Sequence, residues 1–167
     1  LSGSNTGNNT LAAVLADSGA NASSLYKDGV GTWVISGNST YTGATTIHAG
    51  TLVISGSSSV SNSSGVVVDG TLDVSNLSGT VSAKTVSSTS SGLGRILIGG
   101  DRLTITNANG IFYGAISGTG SLEVTGGTLT LAGANTFPGG IYITNATLKY
   151  ADNAGALSNG SITSSNG

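Results

Sequence analysis

Apolar residues recur at every second position in short bursts along this chain. The pairs are Trp33 and Ile35, Leu52 and Ile54, Val66 and Val68, Leu72 and Val74, and Ile96 and Ile98. Leu103 and Ile105, Leu122 and Val124, Leu129 and Leu131, Ile141 and Ile143, and Leu148 and Tyr150 continue the series. Period-two alternation sends one set of side chains to a buried face and the other to solvent, so each burst predicts a strand. Gly, Asn, Ser and Asp, the turn-forming types, separate the bursts. The only helix-like apolar stretch, Leu11 to Ala16, is far too short to cross a bilayer. From Gly79 to Gly92 the alternation fades, and a solvent-side loop or irregular coil is expected there.

The strands belong to a repeat. Shifted by 96 residues, Gly31–Leu52 aligns without gaps on Gly127–Leu148, with Gly, Thr, Ile and Leu coinciding at eight positions and Tyr41 matching Phe137. Inside this period lies a shorter one. Gly-Thr-Leu stands at Gly50–Leu52 and again at Gly70–Leu72, 20 residues on. Many short, evenly spaced strands are compatible with a sandwich, a barrel or a solenoid. The fixed period favours a solenoid, in which each turn buries its apolar face against itself and its stacked neighbours. About 20 residues per coil gives an all-β parallel β-helix of roughly seven or eight coils.

Composition removes several alternatives. Of 167 residues, 28 are Gly, none is Cys or Met, and 7% are charged, against about 25% in ordinary domains. Disorder pairs low hydrophobicity with high net charge. Here the net charge is −2 and the mean hydropathy +0.22, so the chain is expected to fold, as one segment over 1–167. The basic residues Lys27, Lys84, Arg95, Arg102 and Lys149 are scattered. Phosphate neutralisation needs them clustered, so no nucleic-acid partner is expected. No membrane insertion of the segment is expected either. Without Cys there is no disulfide scaffold, thiolate zinc site or thiol nucleophile. The chain does not start with Met and shows no signal-peptide pattern, which fits a segment of a longer chain or a processed subunit.

The stretch Gly31-Thr-Trp-Val-Ile-Ser-Gly-Asn-Ser-Thr-Tyr-Thr-Gly-Ala-Thr-Thr-Ile-His-Ala-Gly-Thr-Leu52 resembles the passenger-associated transport repeat of autotransporters, also called the autotransporter-associated β-strand repeat. Tyr26–Gly31 fits as its lead-in, and Gly118–Gly127 leads into a second copy. The resemblance covers residues near 24–52 and 111–162, with weaker coils over 53–110. Pro138, in place of a usual Thr or Ser, and Asn145-Ala146, in place of Ala49-Gly50, depart from the pattern at corners. The resemblance implies a right-handed parallel β-helix that is exported and shown on or released from the bacterial surface. It brings no catalytic residues, cofactor or metal.

The residues themselves offer thin chemistry. Asp69 and Asp73 are the best-paired carboxylates, and calcium would want six to eight oxygens, so an exposed coil edge is the expected reading. His48 is the sole histidine, is expected to point outward, and would need a Ser and an acid to form a triad. Gly92-Leu-Gly-Arg95 and Gly118-Thr-Gly120 do not complete a phosphate loop and read as turns. Among the aromatics Trp33, Tyr41, Phe112, Tyr113, Phe137, Tyr142 and Tyr150, the repeat-equivalent Tyr41 and Phe137 are expected in the core. Tyr113 and Tyr142 are the surface candidates for a sugar-stacking strip. The run from Arg95 to Arg102 is expected to hold a local ion pair, or else to form a lateral contact surface. Seven Asn-x-Ser/Thr sequons, at Asn8, Asn21, Asn38, Asn62, Asn76, Asn145 and Asn159, are expected to be wetted surface positions open to glycosylation.

The expected function is therefore a non-enzymatic structural or adhesive segment of an exported passenger. Its partners would be neighbouring coils or subunits of the same protein, and a host surface or polysaccharide. One alternative is a subunit stacking end to end into an extracellular filament through open sheet edges. The other is a β-helix that binds or cleaves polysaccharide, which would gather Asp69, Asp73, Lys84, Arg95 and Arg102 on one face.

Overall fold

The computed structural model describes residues 1–90, 93–151 and 161–165. Strands come in coil-sized groups. The first coil holds β1 (Asn8–Leu11) and β2 (Leu25–Lys27). The same two-strand plan recurs as β3 (Thr32–Ile35) with β4 (Thr45–Ile47), and β5 (Thr51–Ile54) with β6 (Val66–Val68). The fourth coil adds a third strand: β7 (Thr71–Asp73), β8 (Thr80–Ala83) and β9 (Val86–Ser87). Then follow β10 (Arg95–Gly99), β11 (Arg102–Ile105) and β12 (Ala108–Phe112), and β13 (Ala115–Gly118), β14 (Ser121–Val124) and β15 (Gly127–Leu131). β16 (Ile141–Thr144), β17 (Ala146–Tyr150) and β18 (Ile162–Ser165) complete the series.

All strand pairing is parallel and joins each coil to the next. The first face stacks β1-β3-β5-β7-β10-β13. The second stacks β2-β4-β6-β9 and continues into β12-β15-β17, joined where the Ser88 N–H donates to the Ile111 carbonyl at 3.1 Å. The third stacks β8-β11-β14-β16-β18. The molecule is a β-solenoid of about 7 turns. Coil length varies: Thr32 pairs with Thr51 but Asn8 with Thr32, and Thr71 with Arg95.

The core is a set of columns running along the stack. On the first face Leu52, Leu72, Ile96 and Ile116 lie in register, and on the third Val81, Leu103, Leu122 and Ile141 do. All are buried. Burying each such side chain contributes about 1.5–3 kcal/mol. A strand alone has no inside, so this burial exists only once coils stack. In the early coils the third face is irregular chain, yet Tyr41, Val60 and Ser63 from that chain are buried.

Two expectations change. The weak stretch from Gly79 holds β8 and β9, with Val81, Ala83 and Val86 in the core. Its alternation is short and carried partly by Ala and Ser, which is why it reads faintly; Ser91 and Gly92 lie outside the described residues. Leu11 to Ala16 is no helix: Leu11 ends β1, and the Leu15 carbonyl accepts from Thr40 and Tyr41 N–H groups of the next coil.

Candidate functional site

Lys27 is wholly buried although it carries charge. Strand β2 turns it inward, in the column continued by Ile47 and Val68. Its Nζ reaches the corner and donates to the carbonyls of Gly29 at 2.7 Å, Ala49 at 2.9 Å and Asp28 at 3.2 Å. It ties two coils together. Burial pushes the ammonium below the usual lysine range, opposed by the Asp28 charge.

Directly outside this corner lie Tyr26, Asp28 and His48. His48 Nδ1 is 3.0 Å from Asp28 Oδ1, and both side chains are more than half exposed. The imidazole stacks on the Tyr26 ring at 6.4 Å between centroids. Hydrogen bonding from His48 first, and from the Gly29 backbone second, holds the Asp28 carboxyl below its usual range. His48 does point outward, and it has found an acid. No Ser hydroxyl bonds to it among the described residues, so the pair orients an imidazole without supplying a nucleophile. The pairing was legible in principle, since Asp28 and His48 are one 20-residue coil apart.

Asp69 and Asp73 are not brought together. Asp69 lies at the corner between β6 and β7, and accepts from the Thr89 N–H at 2.7 Å and hydroxyl at 2.9 Å. Asp73 accepts from the Ser75 N–H at 2.9 Å and hydroxyl at 2.6 Å. Asp17 repeats the first device, holding both the N–H and the hydroxyl of Thr42 in the next coil. These carboxylates cap the chain. Arg95 borders a groove beside Asp69, whereas Lys84 donates to the Asn62 carbonyl from another corner and Arg102 lies on the third face. The five charges do not converge, and no group of three metal-ligating acidic, His or Cys side chains occurs among the described residues.

Arg102 does not pair with its neighbour Asp101, which turns inward to accept from the Gly79 N–H at 2.8 Å. Its partner is one coil away: Arg102 Nη1 is 3.5 Å from Glu123 Oε2, which also accepts from the Thr104 hydroxyl at 3.0 Å. The guanidinium also covers the Tyr142 ring at 4.8 Å, a cation–π arrangement. Of the aromatics named above, Tyr41, Phe137 and Phe112 are buried, while Tyr113 and Tyr142 are half-buried. Tyr26, which the sequence did not single out, is the most open aromatic ring, 53% exposed. Six sequon asparagines are exposed, and Asn159 lies outside the described residues.

Residues 25–54 and 126–149 match the passenger-associated transport repeat. The chain carries two copies of this repeat. Both overlap the segments that showed the resemblance. Over 74 residues, 43% of the chain, the sequence is 46% identical to the adhesin BmaC autotransporter of Brucella suis biovar 1 (strain 1330). The matched stretch amounts to 2% of that relative's length. No solved structure matches the chain.

The two transport repeats occupy different faces of the solenoid. Of their aligned strands, β3 and β4 of the first lie on the first and second faces, and the counterparts β15 and β16 of the second on the second and third. Despite that rotation, equivalent residues do the same work. Ser39 and Asn135 are both buried and donate to the carbonyls of Gly37 and Gly133, at 3.3 and 2.8 Å. Tyr41 and Phe137 fill the interior below them. The Tyr41 hydroxyl meets Thr45 Oγ1 at 2.6 Å, and Thr45 passes the chain to Ser63 at 3.1 Å. In the second repeat the same two positions are Phe137 and Ile141, an apolar pair. A hydrogen-bonded pair in one repeat thus corresponds to an apolar pair in the other.

Proposed function

We propose that this chain is a non-enzymatic segment of an exported bacterial passenger, a stiff rod shown at the cell surface that takes part in adhesion. The observation that carries this reading is the pair of transport repeats, set in a stacked solenoid whose polar side chains are spent on joining coils. The adhesin that shares 46% identity over 74 residues supports the adhesive role. The partners would be adjoining coils of the same passenger and a host surface.

The test is to place residues 1–167 ahead of a membrane β-barrel anchor in a non-adherent bacterium. Protease-accessible display and raised attachment to epithelial cells are expected. Display without any gain in attachment would reduce the segment to a spacer. The enzymatic reading has its own readout: release of reducing ends from bacterial or host polysaccharides, where none is expected.

A further inference from the structure

At the corner between the first and third faces, the register position Gly79–Asp101–Gly120–Gly139 presents no side chain outward in four consecutive coils: three are glycine, and Asp101 turns inward to the Gly79 N–H. Gly79, Gly100, Gly120 and Gly139 form the floor of a groove of about 420 Å³ that runs along the stack. Three of them are demanded by the fold. Gly79 has φ +107°, and a Cβ at Gly120 or Gly139 would collide with the carbonyl of the coil beside it, Asp101 or Gly120 respectively. Gly100 is different. Its φ is not in the left-handed region, and a Cβ there would touch only Thr119 Oγ1, at an ordinary 3.6 Å. It is the third residue of the tight turn that the Asp101 N–H closes on the Ile98 carbonyl at 3.0 Å, so a side chain is sterically allowed there, and a bulky one would enter the groove.

The walls are hydroxyls and one cation: Thr80, Thr119, Ser121 and Arg102. Thr80, Arg102 and Ser121 are register partners, so they project one per coil at about 4.8 Å spacing. None of the lining residues has a large apolar side chain, which disfavours a hydrophobic peptide. The charge of Arg102 is matched by Glu123 at 3.5 Å, which disfavours a polyanion. Arg102 brings N–H donors to the groove wall, held there by Glu123 and by the Tyr142 ring that it covers.

We infer that this groove binds a linear, uncharged polysaccharide laid along the solenoid axis, with Arg102, Thr80, Thr119 and Ser121 bonding its hydroxyls. A bare floor admits a sugar ring close to the backbone, and rungs repeating once per coil suit a ligand that is itself periodic. The inference deepens the adhesive reading by naming a ligand class for one surface.

The test uses the whole chain and calorimetric titration with hexasaccharides of β-linked glucose, mannose and galactose, with an oligouronate of equal length as the charged comparison. Binding of at least one neutral hexasaccharide is expected, with Gly100→Leu and Arg102→Gln each weakening it tenfold or more. Gly100→Leu should keep the wild-type melting temperature, so its loss of binding reads the groove and not the fold. Tyr142→Leu, which removes the ring that Arg102 covers and so frees the guanidinium from its place on the wall, supplies a second variant should Gly100→Leu fail to fold. No binding of any neutral probe, tighter binding of the oligouronate, or binding untouched by these variants overturns the inference. Cell attachment that persists in Gly100→Leu would overturn this site's part in adhesion and leave the surface-rod reading standing.

Discussion

Lys27 is the one charged residue among the largest wholly buried side chains of the described residues, and its column is otherwise Ile47 and Val68. Replacing it separates packing from polarity. Lys27→Ala removes the stem and orphans three carbonyls, and should cost about 2–4 kcal/mol. Lys27→Met leaves the same three carbonyls without their donor but keeps the volume and removes a buried charge, so its cost should be smaller than that of Lys27→Ala by about 1 kcal/mol or more. Urea denaturation of both variants checks this, and equal losses would mean that the carbonyl bonds dominate. The proton balance has a definite sign. The folded chain holds the Lys27 proton less tightly than the unfolded one, so this group makes stability rise as pH climbs toward the ordinary lysine value of 10.5. Lys27→Met should flatten that rise. Tyr150 acts oppositely: burial pushes its phenol up to about 12, so stability present below pH 10.0 is lost on the way to 12. At the acid end, hydrogen bonds from the Thr42 hydroxyl, the Ser23 N–H and the Thr42 N–H lower the Asp17 pKa. That contribution is present above 3.8 and disappears as pH falls through the folded value, so Thr42→Val should raise the acid midpoint in a circular-dichroism titration.

Strands and corners carry the next level of consequence. Gly120→Ala would press a methyl against the Asp101 carbonyl, and since that contact sets the distance between β11 and β14, a loss above about 2 kcal/mol is expected in thermal melts. The Tyr41–Thr45 pair predicts a coupled exchange. Tyr41→Phe alone should cost about 1 kcal/mol by removing a buried hydroxyl partner. Tyr41→Phe with Thr45→Val, which copies the apolar pair of the second repeat, should recover most of it; additive losses in the double-mutant cycle would deny the coupling. These elements also show how far the sequence can be read. The inward pairs such as Leu52 and Ile54 announce themselves because alternation of apolar and polar types is all a solenoid strand requires. β2 is silent because its inward residues are Leu25 and Lys27, and a lysine reads as outward unless its carbonyl partners are known. β8 and β9 are muted because Ala83 and Ser88 fill the interior where a Leu would be expected. The Arg102–Glu123 pair escapes because it joins residues 21 apart, and coil lengths vary too much to assign such partners without the register.

On the scale of the whole molecule, each coil contacts only its neighbours, so stability is close to a sum of coil and interface terms. Amide exchange in this 167-residue chain should accordingly be slowest in β10, β11, β13 and β14, whose inward residues are fully buried, and fast in β1 and β18, which are largely exposed. Exchange-coupled mass spectrometry checks the gradient, and uniform protection would point to all-or-none opening instead. The same architecture explains why fold was readable and ligand was not: columns of Leu and Ile need only sequence period, while a groove floor is made of residues that any turn would also use. The rotation of the second repeat has a last consequence. Val34 reaches Thr136 in five coils, through Val53, Asp73, Leu97 and Ser117, whereas the repeat returns after 96 residues, six short of that. A tandem series of such units would climb like the treads of a spiral stair, each copy turned by about a third from the last. Whatever one copy holds outward, three copies would offer in three directions, and a cell meeting the rod from any side would find one of them facing it.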